Sequence, residues 1–349
     1  MQKYIPTTFH DPFGLFLRLI RSGDSTALFT LGTALLGVIA SPLDLLLQPL
    51  ESRQYRKASS ANLPLIFVCG APRTGTTLAS QVLIRHLPVT YFNNLTAMFP
   101  RSPIVINQLF GRFLTSAQHI DFKSYYGKTN GFAGPNDALY IWDRWFGTDR
   151  SIIPTEIDEP MVQRMTQFFG AVEEAWGRPL INKNNSLNTF AHLVAEVFEN
   201  AYFVCMTRDP VYHAQALYRA RNDIHGDPSL AYGIHLPDDN RDDSNKDPLE
   251  DVCDQVIFHA QMVRDQFARI GPERFLVVSY ENFCQDPASI VEKIGQVLPV
   301  GTHDAQRLRA ELKPFRSTNH IRIDTEKFEK MQAYLKGHGE LASALSLQI

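Results

Sequence analysis

The ten residues CGAPRTGTTL, at positions 69–78, follow the apolar run LIFV and precede a helical pattern. A glycine-rich turn between a buried strand and a helix directs backbone N–H groups and the positive end of the helix dipole toward an anion. Compared with the ATP-binding motif G-x-x-x-x-G-K-[ST], the stretch supplies Gly70, Gly75 and Thr77, but Thr76 replaces the lysine. The stretch therefore predicts a phosphate-binding loop whose cation stands at a different position.

That cation is Arg73, three residues before the missing lysine. Its guanidinium group is planar and carries five N–H donors, which suits an anionic group lying along the loop. The glycines permit a tight turn, and the threonine hydroxyl groups can donate hydrogen bonds. The residues expected to hold the anion are Gly70, Arg73, Thr74, Gly75, Thr76 and Thr77.

Apolar runs alternate with helical patterns on both sides of this loop. The five runs expected to be strands lie at residues 65–69, 89–94, 179–183, 201–208 and 274–282, and a helix is expected at 77–86. This alternation is typical of βαβ units, so it predicts an α/β fold in three layers around a central, mostly parallel sheet.

The spacing of the runs also suggests how the chain is organised. We expect an N-terminal helical segment at residues 1–57, a polar linker at about 51–64, and an α/β domain at 58–349. Within that domain, residues 95–177 are too long for a simple crossover and are expected to build the acceptor side of the site. Residues 225–251, rich in Asp and Pro, are expected to form an acidic surface loop or a lid.

The composition excludes several classes of protein. The chain has 349 residues, of which 44% are hydrophobic and 20% charged, with a formal net charge of -3. This balance is ordinary for a globular protein, and no basic excess indicates nucleic-acid binding. The four cysteines are far apart and no His cluster has metal-ligand spacing, so we expect neither disulfides nor a metal site. This cysteine usage indicates a reducing compartment, and we expect the protein in the cytoplasm.

The N-terminal segment carries no charge from Ser25 to Leu43, about the length of a membrane span. Thr, Gly, Ser and Pro residues dilute its hydrophobicity. Three interpretations stay open: a helical hairpin packed on the domain, peripheral membrane contact through residues 13–50 at the inner face of the membrane, and a true span. Basic residues flank the segment and can contact anionic headgroups or water: Arg18, Arg21, Arg53, Arg56 and Lys57.

The loop APRTGTT resembles the P-[KR]-[ST]-G-T-T loop of the sulfotransferase superfamily, and bacterial polysaccharide-type and lipid-type members are the closer comparison. In that family the loop binds the 5′-phosphosulfate of 3′-phosphoadenosine 5′-phosphosulfate. The resemblance covers about residues 60–325. It implies a P-loop-containing nucleotide hydrolase-like fold, this donor as co-substrate, no metal, and transfer of a sulfuryl group to a hydroxyl or amine.

A second block, TRDPVYHAQALYRAR, resembles the family's R-[DN]-P segment, whose arginine binds the donor's 3′-phosphate. The resemblance assigns that role to Arg208. Family members carry a serine eight residues later that binds the same phosphate, whereas this chain has Ala216. A charge-assisted hydrogen bond worth about 1.5–3 kcal/mol is thereby missing, and Gln215, Arg219 or Arg221 could compensate.

Weaker matches suggest further site residues. By resemblance, Lys183 approaches the reacting sulfuryl group, and Arg316, Ser317 and Asn319 contact the nucleotide. Sulfuryl transfer also needs a general base on the acceptor. Asp137, in the turn GPND, is our candidate, and its alternative role is to cap the helix that follows. Further candidates for the base are Asp143, His119 and His86.

Three functions remain open at this point. The first is a sulfotransferase that acts on a lipid, glycan or other small acceptor, an expectation that rests on the apolar N-terminus and on aromatic residues near Trp142. The second is an atypical P-loop kinase or nucleotide hydrolase, against which Thr76 counts. The third is a catalytically silent, membrane-attached relative, which the substitution at Ala216 keeps open.

Overall fold

The computed structural model describes residues 11–114, 120–235, 246–299, 305–338 and 341. The strands are β1 (Leu65–Cys69), β2 (Thr90–Tyr91), β3 (Leu180–Lys183), β4 (Ala201–Thr207) and β5 (Phe275–Ser279). They form one sheet in the order β2-β3-β1-β4-β5, and every neighbouring pair is parallel. The predicted α/β fold with a central parallel sheet is confirmed.

Helices surround this sheet. In chain order they are α1 (Pro12–Arg21), α2 (Ser25–Lys57), α3 (Thr76–His86), α4 (Asn94–Ala97), α5 (Pro103–Leu114), α6 (Leu139–Phe146), α7 (Glu159–Trp176), α8 (Leu187–Val197), α9 (Pro210–Ala220), α10 (Pro248–Ile270), α11 (Tyr280–Gln285), α12 (Pro287–Gly295), α13 (Ala305–Glu311) and α14 (Thr325–Lys336). A π-helical turn at Arg221–His225 continues α9.

The central strand β1 separates two apolar layers. All five of its residues are buried. Phe67 and its odd-numbered neighbours pack with residues of α7 and α8 on one face, and Ile66 and Val68 pack with residues of α3 and α12 on the other. Because successive side chains of a strand point to opposite faces, a continuous apolar run is what a sheet covered on both sides requires.

The phosphate loop begins where β1 ends. Gly70 has a φ of 126°, and a Cβ atom there would lie 2.3 Å from the carbonyl oxygen of Met206 on β4. Only glycine fits this close approach of two backbones. Arg73 also has a positive φ, 74°, so the loop holds a non-glycine residue in the left-handed region.

The second strand is shorter than the predicted run at 89–94. Asn93 forms a capping box with Thr96, in which each side chain accepts a hydrogen bond from the other residue's backbone N–H. This box starts α4 and ends the strand at Tyr91, because an N-cap residue satisfies the first amides of a helix rather than a sheet ladder.

The N-terminal segment forms α1 and one long helix, α2, which continues through Pro42 and Pro49 to Lys57. The prediction of a linker at 51–64 was therefore wrong for its first half. Glu51 accepts hydrogen bonds from the backbone N–H groups of Ile104 and Val105, at 3.2 and 2.9 Å. These bonds hold the end of α2 against the first turn of α5, so the helix does not end at the polar residues.

Candidate active site

A cleft of about 1590 Å³ opens at the carboxyl ends of β1, β3 and β4. Its floor is the phosphate loop, with Arg73, Gly75, Thr76 and Thr77. Ligands of open parallel sheets bind at this edge, where the loops that follow the strands converge.

Arg73 is held in the cleft by an aromatic residue. Its guanidinium lies over the ring of Tyr126, 4.7 Å from the ring centre, and the Tyr126 hydroxyl donates a hydrogen bond to Asp223. Burial and the neighbouring carboxylate raise the pKa of Tyr126, so the phenol stays protonated. The Nε of Arg73 is buried and has no hydrogen-bond partner among the described residues. A buried cationic donor without a partner suits a site that receives an anion.

The loop residues divide into two groups. Gly75 is the N-cap of α3 without a side-chain hydrogen bond, and the first helical residues, Thr76 and Thr77, line the cleft. The hydroxyl of Thr74, in contrast, is buried and donates to the carbonyl oxygen of Ala71, 2.7 Å away. The Thr74 side chain is therefore bonded within the loop, and neither it nor Gly70 lines the cleft.

Arg208 follows β4 and joins three segments. Its Nη1 donates to the carbonyl oxygen of Arg73 at 3.0 Å, its Nε to Asn319 at 2.9 Å, and its Nη2 to Thr318 at 3.2 Å. The guanidinium also lies over the ring of Tyr280, at 4.8 Å. Burial is the main cause that lowers the pKa of Arg208. The residue that follows β4 is thus connected directly to the loop that follows β1.

Lys183, the last residue of β3, forms an ion pair with Asp137. The distance from Nζ to the carboxylate is 2.8 Å, and the lysine side chain is only 5% exposed. Asp137 does not cap α6, because the N-cap of that helix is Ala138, in the left-handed region, and no side chain caps it. Since both residues line the cleft, the pair places a cation and a carboxylate side by side next to the loop.

Comparison with known proteins identifies the family. The model of the sulfotransferase family matches residues 64–304, which include the loop, Lys183 and Arg208. The chain belongs to the sulfotransferase family. The superfamily predicted from the sequence is confirmed, and the protein is a transferase enzyme that acts in sulfuryl transfer.

Solved structures show the same fold. A sulfotransferase from Mycobacterium avium is 18% identical, with a TM-score of 0.50 over 82% of this chain and 79% of that chain. A sulfotransferase from Mycobacterium tuberculosis is 13% identical, with a TM-score of 0.51 over 93% and 91% of the two chains. No curated protein matches the sequence significantly.

The loop after α13 reaches this sulfotransferase's cleft at Thr318. Arg316 and Ser317 are exposed, whereas the next two residues, Thr318 and Asn319, bond to Arg208. Asn319 also donates to Glu281 at 2.6 Å. The expectation that Asn319 contacts the nucleotide stays a prediction, and Thr318, which lines the cleft, is a partner of Arg208 that the sequence did not indicate.

Two of the three residues considered as compensation for Ala216 are committed elsewhere. Gln215 is buried and bonds to the backbone of His320 and Arg322. Arg221 is fully buried and bonds to Asp251 and Gln255. Arg219 is half-buried on α9. The structure therefore leaves Arg219 as the remaining candidate of the three.

The other base candidates lie in different surroundings. Asp143 lines the cleft and pairs with Arg150 at 2.6 Å, and burial raises the pKa of its carboxyl group although Arg150 opposes the shift. His86 lies in the last turn of α3, about 15 Å along the helix from the loop. His119 lies outside the described residues. Within the described ranges, no group of three or more His, Cys, Asp and Glu residues could hold a metal ion.

Several cleft residues carried no sequence signal. The N-terminal helix contributes Thr26, Gln48 and Ser52, far from any motif. The segment expected to be an acidic surface loop contributes Tyr232 and Ile234 to the wall, and its residues 236–245 lie outside the described ranges. These side chains line the cleft because of tertiary packing, which no local pattern reports.

Proposed function

We propose that this sulfotransferase transfers a sulfuryl group from 3′-phosphoadenosine 5′-phosphosulfate to a hydroxyl group of a lipid, glycan or other small acceptor. The observation that carries the proposal is the bond from Arg208 to the carbonyl of Arg73. It connects Arg208, which follows β4, to Arg73, in the loop between the adjacent strand β1 and the N-terminus of α3. This arrangement suits a ligand with two separate phosphate groups, such as a 3′-phosphorylated nucleotide.

The reaction is an in-line displacement at sulfur. The acceptor oxygen forms a bond to sulfur while the bond from sulfur to the bridging oxygen breaks, and the nucleotide leaves as 3′-phosphoadenosine 5′-phosphate. The electron pair of the broken bond stays on the 5′-phosphate. Arg73, the first amides of α3 and Lys183 would stabilise the negative charge that develops there.

The acceptor proton must pass to a base as the new bond forms. We assign this role to Asp137, whose carboxylate is held by Lys183 at the carboxyl end of β3. The pair would flank the reacting sulfuryl group, with the carboxylate toward the acceptor hydroxyl and the ammonium toward the sulfuryl and bridging oxygens. Asp143 is the alternative base, since it lines the same cleft.

A nucleotide-binding comparison tests the donor. Isothermal titration of the full chain with 3′-phosphoadenosine 5′-phosphate, without magnesium, is expected to show tighter binding than titration with ATP and magnesium. Tighter binding of ATP with magnesium would favour the kinase or hydrolase interpretation. Nucleotide binding without transfer to any acceptor of a broad panel would favour the catalytically silent relative.

We also place the protein in the cytoplasm. The four cysteines are free and buried, as is usual in a reducing compartment.

A further inference from the structure

Helix α2 packs along the domain over most of its length. Near its start, the ring of Phe29 contacts Phe132 at 5.8 Å between ring centres. In its middle, Asp44 is fully buried and accepts hydrogen bonds from the hydroxyl of Ser102 at 2.7 Å and from the backbone N–H of Arg101. A helix supported in this way along one side cannot be surrounded by lipid.

The carboxylates of α2 strengthen this attachment. Glu51, seven residues after Asp44, lies on the same face of the helix and binds the first backbone amides of α5. Burial is the main cause that raises the pKa of Glu51. Both carboxylates point into the domain, so they do not interrupt the opposite face of the helix.

That opposite face is an apolar stripe. Leu28, Leu35, Ile39, Leu46 and Leu50 recur at intervals of seven and four residues, and each is between 45% and 74% exposed. The stripe is about 33 Å long at a rise of 1.5 Å per residue. Asp44 is the sole charged residue from Ser25 to Leu50, and it is buried, so no charge lies on this face.

Neighbouring helices extend the apolar surface. On α1, which packs against α2, Phe13, Phe16 and Ile20 are exposed. On α5, which also packs against α2, Leu109 and Phe113 are exposed, the latter by 84%. Exposed apolar surface of this extent is rare on proteins that stay free in water.

Basic residues continue the stripe beyond its end. Arg53 and Lys57 are exposed and follow Leu46 and Leu50 by seven residues each, on the same side of α2. Arg21 is exposed at the other end, before α2 begins. An apolar band with cations at its ends complements the acyl region and the anionic headgroups of a bilayer surface.

We propose that α2, with α1, lies in the plane of a bilayer that contains anionic phospholipids, with its apolar stripe in the headgroup and acyl boundary. The helix is long and apolar enough to cross a membrane, the only such helix in the described ranges. Its attachment to the domain from Phe29 to Glu51 makes it an in-plane helix instead.

The inward face of α2 gives this position a consequence for the acceptor. Thr26, Gln48 and Ser52 line the cleft that holds Arg73 and Lys183. One helix therefore contacts the bilayer with one side and forms a cleft wall with the other. We therefore infer that the acceptor is an amphiphile whose headgroup hydroxyl enters the cleft from the membrane surface. This inference rests on the proposed sulfuryl transfer.

Vesicle sedimentation of the full chain tests the docking. The protein is expected to sediment with vesicles of phosphatidylcholine and phosphatidylglycerol, and much less with phosphatidylcholine alone. The double variant Ile39→Gln, Leu46→Gln is expected to lose about tenfold or more in partitioning, because two apolar side chains leave the bilayer. The variant Ile152→Gln changes an exposed residue outside the stripe and serves as the matched control.

Four results would overturn the docking proposal. In the first two, the wild type stays in the supernatant with both kinds of vesicle, or the double variant sediments like the wild type. In the third, the wild type is a dimer and the double variant is a monomer. In the fourth, alkaline carbonate fails to release the membrane-bound wild type. The dimer would identify a second copy as the occupant of the stripe, and resistance to carbonate would indicate a span.

Binding of 3′-phosphoadenosine 5′-phosphate is measured on the same samples. Normal binding by the double variant shows that it is folded. If the wild type does not bind this nucleotide, the proposed function is contradicted and the docking proposal is not, since sedimentation does not depend on the nucleotide. With a radiolabelled donor and a mixture of total-lipid vesicles and water-soluble glycan, label is expected in the lipid fraction for the wild type and much less for the double variant. Label confined to water-soluble glycan would overturn the assignment of the acceptor.

Discussion

The Nη1 of Arg208 donates a hydrogen bond to the carbonyl oxygen of Arg73, 3.0 Å away. The bond connects the loops that follow two adjacent parallel strands, β4 and β1. It holds the guanidinium of Arg208, which we assign to the 3′-phosphate of the donor, next to the loop whose Arg73 we assign to the 5′-phosphosulfate.

Replacing Arg208 with Ala is expected to weaken binding of 3′-phosphoadenosine 5′-phosphate by about tenfold to a hundredfold, the value of one charge-assisted hydrogen bond. Binding of adenosine 5′-phosphate should change far less, and calorimetry of both nucleotides measures the difference. Arg309→Ala is the control, because that exposed arginine pairs with Asp286 and Glu292. Equal losses for the two nucleotides would remove the assignment of Arg208.

Replacing Ala216 with Ser is expected to strengthen binding of the 3′-phosphorylated nucleotide by about tenfold, because it adds the hydroxyl that the family resemblance predicts for this position. Ala216 is half-buried on α9, so the added oxygen can be accommodated. Titration with the nucleotide and with its 3′-dephosphorylated form measures the gain. An equal gain for both nucleotides, or none, would show that Ala216 lies away from the 3′-phosphate.

Asp137→Asn is expected to lower kcat by about a hundredfold to ten-thousandfold, which is the usual contribution of a general base. Nucleotide affinity should remain close to that of the wild type, because the amide can still accept a hydrogen bond from Lys183. The matched variant is Asp143→Asn, which changes the other cleft carboxylate and should cost much less. A greater loss in kcat for Asp143→Asn would transfer the role of base to that residue.

Two buried histidines make the folded protein sensitive to acid. His213, whose imidazole bonds to the carbonyl of Pro72 in the phosphate loop, has its pKa lowered to about 3, mainly by burial, and burial lowers that of His259 to about 4. Both stay neutral in the folded chain, whereas in the unfolded chain they bind protons below about pH 6.5. Stability is therefore lost as the pH falls from about 6.5 toward 4.

Together the two histidines should contribute about 2 kcal/mol per pH unit to this loss between about pH 6 and pH 5. Urea unfolding at several pH values measures the slope. His213→Gln, whose amide can still donate to Pro72, is expected to reduce the slope by about half of that amount. An unchanged slope would mean that His213 is protonated in the folded protein.

The loop and the strands could be predicted from sequence because their signals are local. The run that ends at Cys69, the turn at Gly70 and Gly75 and the helix that follows are adjacent in the chain, and the family resemblance added Arg208. The bond from Arg208 to Arg73 could not be predicted, because it depends on the pairing of β1 with β4.

The remaining features depend on contacts between distant residues. Tyr126 packs on Arg73 from a loop without a motif, and Thr318 reaches Arg208 across more than a hundred residues. The two sides of α2 also differ in exposure, because Asp44 and Glu51 accept hydrogen bonds from Ser102 and Val105 on the side that faces the domain. Sequence periodicity alone does not show which face of an apolar helix the domain covers.

The most direct measurement is a transfer assay with 3′-phosphoadenosine 5′-phosphosulfate that carries a radiolabelled sulfuryl group, without magnesium, and a mixed lipid and glycan extract as acceptor. We expect the full chain to move the label to an acceptor, and the variants Lys183→Ala and Asp137→Asn to lose most of this transfer. Absence of labelled product from wild-type protein that is folded and binds 3′-phosphoadenosine 5′-phosphate would contradict the account.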